Sequence, residues 1–373
     1  MEEKHPNPCY LLSEEALLDN LRVIDHVRQN SGAEVIVALK ACAMWSIFPT
    51  LAMHSDGATA SSLSEARLVY EEFGQPSHTY APIYTPEEID EILDLSNHIT
   101  FNSLSQYNRY SDKAHSKGVS CGIRVNPRYS PVETDLYNPC VEGSRLGVPP
   151  EELAELPTGV EGLHFHVLCE SRSHHLRKAL ESVERYYGHL LPQLKWLNMG
   201  GGHLMTHEDY DTEDLISLLR EFKSRHPHLR LILEPGSAFT WRTGSLVARI
   251  EDIVCNEGAR TAMLNVSFAC HMPDCLEMPY TPSILGAKEV SNERGWRLGG
   301  NSCLAGDFMG EWIFEQEPQV GDTITFEDMI HYTMVKTTMF NGVSHPAIAI
   351  TRTSGEVDVI RQFGYEDYKN RMS

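Results

Sequence analysis

No stretch of the chain approaches the roughly 20 consecutive apolar residues that a membrane-spanning helix requires. The polar opening Met-Glu-Glu-Lys-His-Pro is followed by no apolar segment that would read as a secretory signal. The expectation is a cytoplasmic protein with no membrane partner. Positive charge is also scarce: 31 Lys and Arg against 52 Asp and Glu leave a net charge of −21. That balance disfavours nucleic acid and anionic surfaces as partners, and it suits a cationic ligand. Disulfide spacing is missing as well. The nine cysteines are odd in number and form no C-x-x-C pair, so reduced thiols are expected. Eighteen histidines are present, but no H-E-x-x-H, and no metal is expected. No internal repeat or low-complexity tract interrupts the chain.

What is present is a long alternation. A length of 373 residues, 41% of them apolar, points to two domains with a sizeable core. Short β-like runs occur at Val35–Lys40, Ala58–Ser61, Thr79–Pro82, Ile99–Phe101, Cys121–Asn126, Gly162–Val167, Trp196–Gly200 and Leu231–Glu234. Helical punctuation separates them. Ser13 opens one helix, with Glu14 and Glu15 in its first turn, where the helix dipole favours anions. Ser64 and Gly74 bound another, Thr85-Pro86-Glu87-Glu88 forms a capping box, and Asp211–Arg225 carries an apolar face. Eight strands alternating with helices predict an α/β fold, a (β/α)8 barrel over 13–244. A doubly wound open sheet competes, because alternation alone does not show closure. The irregular stretch Pro127–Pro157 is too long for an ordinary loop and is expected to cover the site or contact another subunit. After Ser245 the runs Leu246–Val254, Ala262–Phe268, Thr323–Phe326, Tyr332–Thr337, Ala347–Thr351 and Val357–Phe363 predict a second, mostly antiparallel β domain. Residues 1–12 and 245–373 are assigned to it.

Barrel enzymes keep their chemistry at the carboxyl ends of the strands. Lys40 ends an apolar run, where desolvation lowers an amine's pKa and makes it a nucleophile able to form a Schiff base. A lysine whose ammonium reaches water is the ordinary alternative. His164 and His166 end the sixth run on one side of the strand, and a histidine ring there could stack on an aromatic cofactor. Gly200, Gly201 and Gly202 allow backbone amides to surround a phosphate, or simply form a turn. Glu234 in Glu234-Pro235-Gly236 is a half-buried carboxylate that needs a partner, such as a protonated ring nitrogen or a barrel salt bridge. Cys303 sits among glycines as a candidate proton donor or an inert thiol. The Tyr332 hydroxyl could reach a phosphate.

In this order, the A-L-K at Lys40, F-H-V at His166, G-G-G at Gly200–Gly202, E-P-G at Glu234–Gly236, the Cys303 loop, Y-T at Tyr332 and F-N-G at Phe340–Gly342 form a set. Nearly end to end, the chain resembles the fold-type III pyridoxal phosphate (PLP) decarboxylases, the group of ornithine and diaminopimelate decarboxylases. Ala38–Ile47, His271–Tyr280 and Asn301–Gly310 are similar to its carboxynorspermidine branch. The resemblance implies PLP held by Lys40, stacked on by His166, and paired at its ring nitrogen with Glu234. Gly200–Gly202, Gly236 and Tyr332 would take the phosphate. It also implies a head-to-tail homodimer in which the partner supplies Cys303, as proton donor, and Asp307. Three positions depart from the wider group: Leu304 replaces the acid after the cysteine, Ser237 replaces arginine, and Cys169 replaces serine. These argue against ornithine or diaminopimelate as substrate, while the resemblance to the carboxynorspermidine branch implies a cationic carboxy-polyamine, carboxynorspermidine or carboxyspermidine. Asp274 is the first candidate for its amines, with Glu277, Asp307 and Ser237 behind it. The alternatives are a decarboxylase of diaminopimelate or arginine, a non-catalytic PLP-binding homologue, and a barrel lyase without PLP.

Overall fold

A computed structural model describes residues 5–277, 280–290 and 294–373. The chain forms two compact units, one from Asn20–Phe239 and one from the segment ending at Asp19 together with Thr240–Ser373. No helix among the described residues is long and apolar enough to cross a membrane.

In the first unit eight parallel strands close into a barrel, which excludes the open sheet. They are Glu34–Ala38, Gly57–Ala60, Ser77–Tyr80, Ser96–Phe101, Ser120–Arg124, Val160–His164, Trp196–Asn198 and Arg230–Leu233. Closure comes from the first strand pairing with the last, Glu34 opposite Ile232 and Val35 opposite Leu233. The barrel is filled rather than hollow. Trp196 is buried, and its indole N–H donates to Ser120 Oγ at 2.9 Å. Glycine is required at two facing positions, since a Cβ on Gly122 or Gly162 would lie 2.2 or 2.0 Å from that indole.

The expected punctuation is present with small shifts. The Ser13 hydroxyl accepts from Ala16 N–H ahead of the helix Glu14–Ser31, and Asp211 caps Thr212–Arg225. The third helix is capped by Ser62 rather than Ser64, and Gly74 ends its final turn at φ +77°. The segment Pro127–Pro157 contains only two short 3-10 turns, at Asp135–Tyr137 and Pro150–Glu152.

The second unit is a nine-stranded sheet. Its organiser is the long strand Gly244–Asn256, antiparallel to Cys9–Ser13, Ala259–Leu264 and Thr323–Glu327. The expected strand at Tyr332–Thr337 is instead a short helix, Tyr332–Val335. β propensity there yields to context, because the preceding strand already fills the edge of Gly244–Asn256. The run expected over Ala262–Phe268 stops at Leu264, and Phe268–His271 is a helical turn capped by the Ser267 hydroxyl. The strands Cys9–Ser13, Ala287–Glu289, Trp296–Gly299 and Phe308–Phe314 were not signalled by the alternation.

Candidate active site

Lys40 lies two residues beyond the first barrel strand, and its Nζ is 3.1 Å from His166 Nε2. His166 Nδ1 accepts the Gly201 N–H at 2.9 Å. A neutral imidazole that accepts at Nδ1 carries its proton at Nε2 and donates there. The amine must then be the acceptor, which requires neutral Lys40. Electrostatics agree on the direction. Burial lowers the Lys40 pKa, with Glu234 opposing and Arg124 assisting. Burial, Lys40 and Arg124 likewise hold His166 well below the usual histidine range. This is the charge state a Schiff-base lysine needs.

Glu234 follows the last strand and is raised above the usual carboxylate range by burial, with Asn198 and Lys40 opposing. Its Oε1 accepts from Asn198 Nδ2 at 2.6 Å. Its Oε2 lies 3.7 Å from Nε2 of His164, a buried ring neither of whose nitrogens has a hydrogen-bond partner. Neither neighbour is a cation, since burial first, then Arg124 and Lys40, depresses the His164 pKa far below neutrality. Lys40 and Arg124 act on Glu234 only through space, and a protonated ring nitrogen would give Oε2 a cation in direct contact, so the pocket fits a pyridine cofactor.

The glycine run does something narrower than surround an anion. Gly200 N–H donates to Asn198 Oδ1, and Gly201 N–H to His166. The first two amides thus fix the side chains that hold Glu234 and contact Lys40. A Cβ on Gly200 would lie 2.5 Å from Phe165 O, on Gly201 2.5 Å from Glu234 O, and on Gly202 2.2 Å from Leu168 O. Gly236 is equally confined, 2.6 Å from the Ala41 side chain, and Ser237 begins the short helix Ser237–Thr240.

Arg124 and Tyr80 were missed in the sequence. Arg124 is buried at the end of the fifth strand and donates to the Tyr80 hydroxyl at 2.6 Å and to His166 O at 3.2 Å. Its signal was a charged residue inside the β-like run Cys121–Asn126. Glu65 was also missed; it accepts Ser61 N–H, and its charge reaches Lys40.

The remaining predicted residues lie in the second unit. Cys303 is exposed, and its N–H donates to Oδ1 of Asn341, a residue held at φ +57°. Tyr332 opens the helix Tyr332–Val335. The three candidate carboxylates differ sharply. Asp307 is buried, and its two oxygens accept Ala269 N–H at 3.1 Å and Ser302 N–H at 3.0 Å, anchoring the loop that carries Cys303. Glu277 forms an ion pair with Lys336. Asp274 is only 7% exposed, and its Oδ1 is buried with no hydrogen-bond partner. Of the stretch His271–Tyr280, Met278 and Pro279 lie outside the described residues.

These features define a pyridoxal-dependent carboxy-lyase, and comparison with known proteins agrees. A family described as pyridoxal-dependent decarboxylase, C-terminal sheet domain, matches residues 21–330. The chain belongs to that family. It is 53% identical to the carboxyaminopropylagmatine decarboxylase of Synechocystis sp., over 98% of this chain and 95% of that one. It is 39% identical to a carboxynorspermidine/carboxyspermidine decarboxylase of Campylobacter jejuni, over 99% of both. The crystal structure of the Campylobacter jejuni carboxynorspermidine decarboxylase complexed with norspermidine superposes with a TM-score of 0.91 at 38% identity, covering 98% of this chain and all (100%) of that one. Diaminopimelate decarboxylase from Helicobacter pylori shares the fold, with a TM-score of 0.84 at 18% identity over 98% of this chain and 97% of that one.

Proposed function

We propose that the protein removes CO2 from an amino acid built on a polyamine, with carboxynorspermidine or carboxyspermidine as substrate and norspermidine or spermidine as product. The observation that carries this reading is Asp274. A buried carboxylate oxygen without a donor is costly, and the cost is offset when a cation completes it. Diaminopimelate and ornithine also end in an ammonium, so Asp274 marks a cationic substrate, and the 39% identity to the carboxynorspermidine/carboxyspermidine decarboxylases favours the polyamine acid among them.

The bound cofactor supplies an electron sink for the pair released when the Cα–carboxylate bond breaks. Lys40, presented as a neutral amine, would hold it. Asn198 occupies Glu234 Oε1, which leaves Oε2 as the oxygen that would hold the ring nitrogen protonated. His166 would stack on the ring, and its lowered pKa favours the neutral imidazole, which adds no competing charge. Gly202, Gly236 and the Tyr332 hydroxyl would hold the phosphate, with Gly200 and Gly201 shaping the turn. Cys303 gives a proton to Cα. The net reaction consumes one proton, releases CO2 and leaves a primary amine. Asp307 holds the cysteine loop, and Ser237 and Glu277 border the substrate. The assembly is a homodimer in which Cys303, on the loop that Asp307 anchors, reaches the partner's Lys40, and the compartment is the cytoplasm.

A second substrate reading rests on the 53% identity to the Synechocystis enzyme. Carboxyaminopropylagmatine shares the carboxylated aminopropyl arm but ends in a guanidinium. Measuring kcat/KM for the three acids side by side decides between them. The primary reading expects carboxynorspermidine or carboxyspermidine to lead; a lead of tenfold or more for carboxyaminopropylagmatine, about 1.4 kcal/mol in transition-state binding, replaces it with the second.

A further inference from the structure

We propose that Thr333 and Tyr280 are positioning residues that turn Asp274 into a single-oxygen receptor for an ammonium nitrogen. The proposal rests on the reading that Asp274 meets the substrate's amine. Asp274 belongs to the short helix Pro273–Glu277, and its Oδ2 accepts two hydroxyls, Tyr280 O–H at 2.9 Å and Thr333 O–H at 2.9 Å. The two hydroxyl oxygens are themselves 3.5 Å apart. Thr333 is fully buried in the helix Tyr332–Val335, one residue after the tyrosine assigned to the phosphate.

Two consequences follow from counting acceptors. Both lone-pair directions of Oδ2 are taken, while Oδ1 is left open. Both donors are neutral, so the carboxylate keeps its whole charge for what arrives, unlike Glu277, whose charge Lys336 already meets. A guanidinium fork binds a carboxylate through both oxygens. With Oδ2 capped, Asp274 accepts one N–H from a primary or secondary ammonium and refuses the bidentate fork. The secondary amine common to the candidate triamine acids fits, and any terminal guanidinium must be read elsewhere.

The test uses the holoenzyme, calorimetric binding of norspermidine, and kcat and KM for carboxynorspermidine. Asp274→Asn comes first: binding unchanged from wild type means that Asp274 does not meet the amine, and the proposal falls with that reading. Once Asp274→Asn has lost binding, Thr333→Val is expected to weaken norspermidine about tenfold, the usual worth of a hydrogen bond to a charged group. KM should rise in parallel, with a much smaller change in kcat and an unchanged cofactor spectrum. Thr333→Ser, which restores only the hydroxyl, should recover to within about threefold. Wild-type binding in Thr333→Val overturns the proposal, and so does a Thr333→Ser as weak as Thr333→Val, because packing would then be the cause. If Thr333→Val fails to fold, Tyr280→Phe at the partly exposed donor carries the same expectation and the same refutation.

Discussion

Lys40→Ala is expected to abolish CO2 release, by on the order of 10⁴-fold or more, as removal of a covalent nucleophile does. It should also leave the purified protein without the visible absorbance of lysine-bound PLP. The size of the effect follows from the site. Lys40 Nζ contacts His166, and burial lowers its pKa, which favours the unprotonated amine that attacks a carbonyl. The fold should survive. The strand before it, Glu34–Ala38, is held by Val35, Ile36 and Val37 in the core and by pairing on both sides. His166 keeps its Gly201 N–H when the amine is gone. Circular dichroism should therefore match wild type while absorbance and turnover are lost. Retained turnover refutes the covalent role of Lys40.

Glu234→Gln is expected to lower kcat about 10²- to 10³-fold, the range seen when one group stabilising transition-state charge is removed. The amide oxygen can still accept from Asn198, so orientation is kept. The other oxygen becomes an NH2, which cannot accept from a protonated ring nitrogen. Stability should move the opposite way. Burial raises the Glu234 pKa more than Asn198, Lys40 and Arg124 lower it, so without cofactor a charged carboxylate there carries a net desolvation cost. The neutral amide removes that cost, and the cofactor-free variant should melt no lower than cofactor-free wild type. Activity lost together with stability would mark a folding defect, and an unchanged kcat would remove Glu234 from the ring nitrogen.

Much of this site could be read along the chain. Lys40, His166, the glycine run and Glu234 each end a strand, and a parallel barrel brings strand ends together. Their order in sequence then becomes proximity in space. Other features could not be read that way. Arg124 stood out only as a charge inside its strand and Tyr80 not at all, and closure of the barrel is what brings Arg124 to His166 O and Tyr80 to the Arg124 guanidinium. The glycines were legible as a turn, but their amide partners Asn198 and His166 belong to two different strand ends. The carboxylates were the hardest to rank. Asp274, Glu277 and Asp307 are equivalent by composition, and they separate only through long-range partners: Thr333, Lys336 and Ala269. Tyr332–Val335 misled because β-branched and aromatic residues favour strands only where an edge is available to pair with. Phe308–Phe314 hid because it has apolar residues without alternation and bends at Gly310, φ +47°.

The central claim is that this pyridoxal-dependent carboxy-lyase acts on carboxylated polyamines rather than on simple basic amino acids. Its most direct test is CO2 release by the purified holoenzyme from carboxynorspermidine, carboxyspermidine and carboxyaminopropylagmatine, set against meso-diaminopimelate, arginine and ornithine under the same conditions. A polyamine acid should exceed every simple amino acid by about 100-fold or more in kcat/KM, roughly 2.7 kcal/mol of transition-state discrimination. CO2 released only from diaminopimelate, arginine or ornithine, or from none of the six, would contradict it.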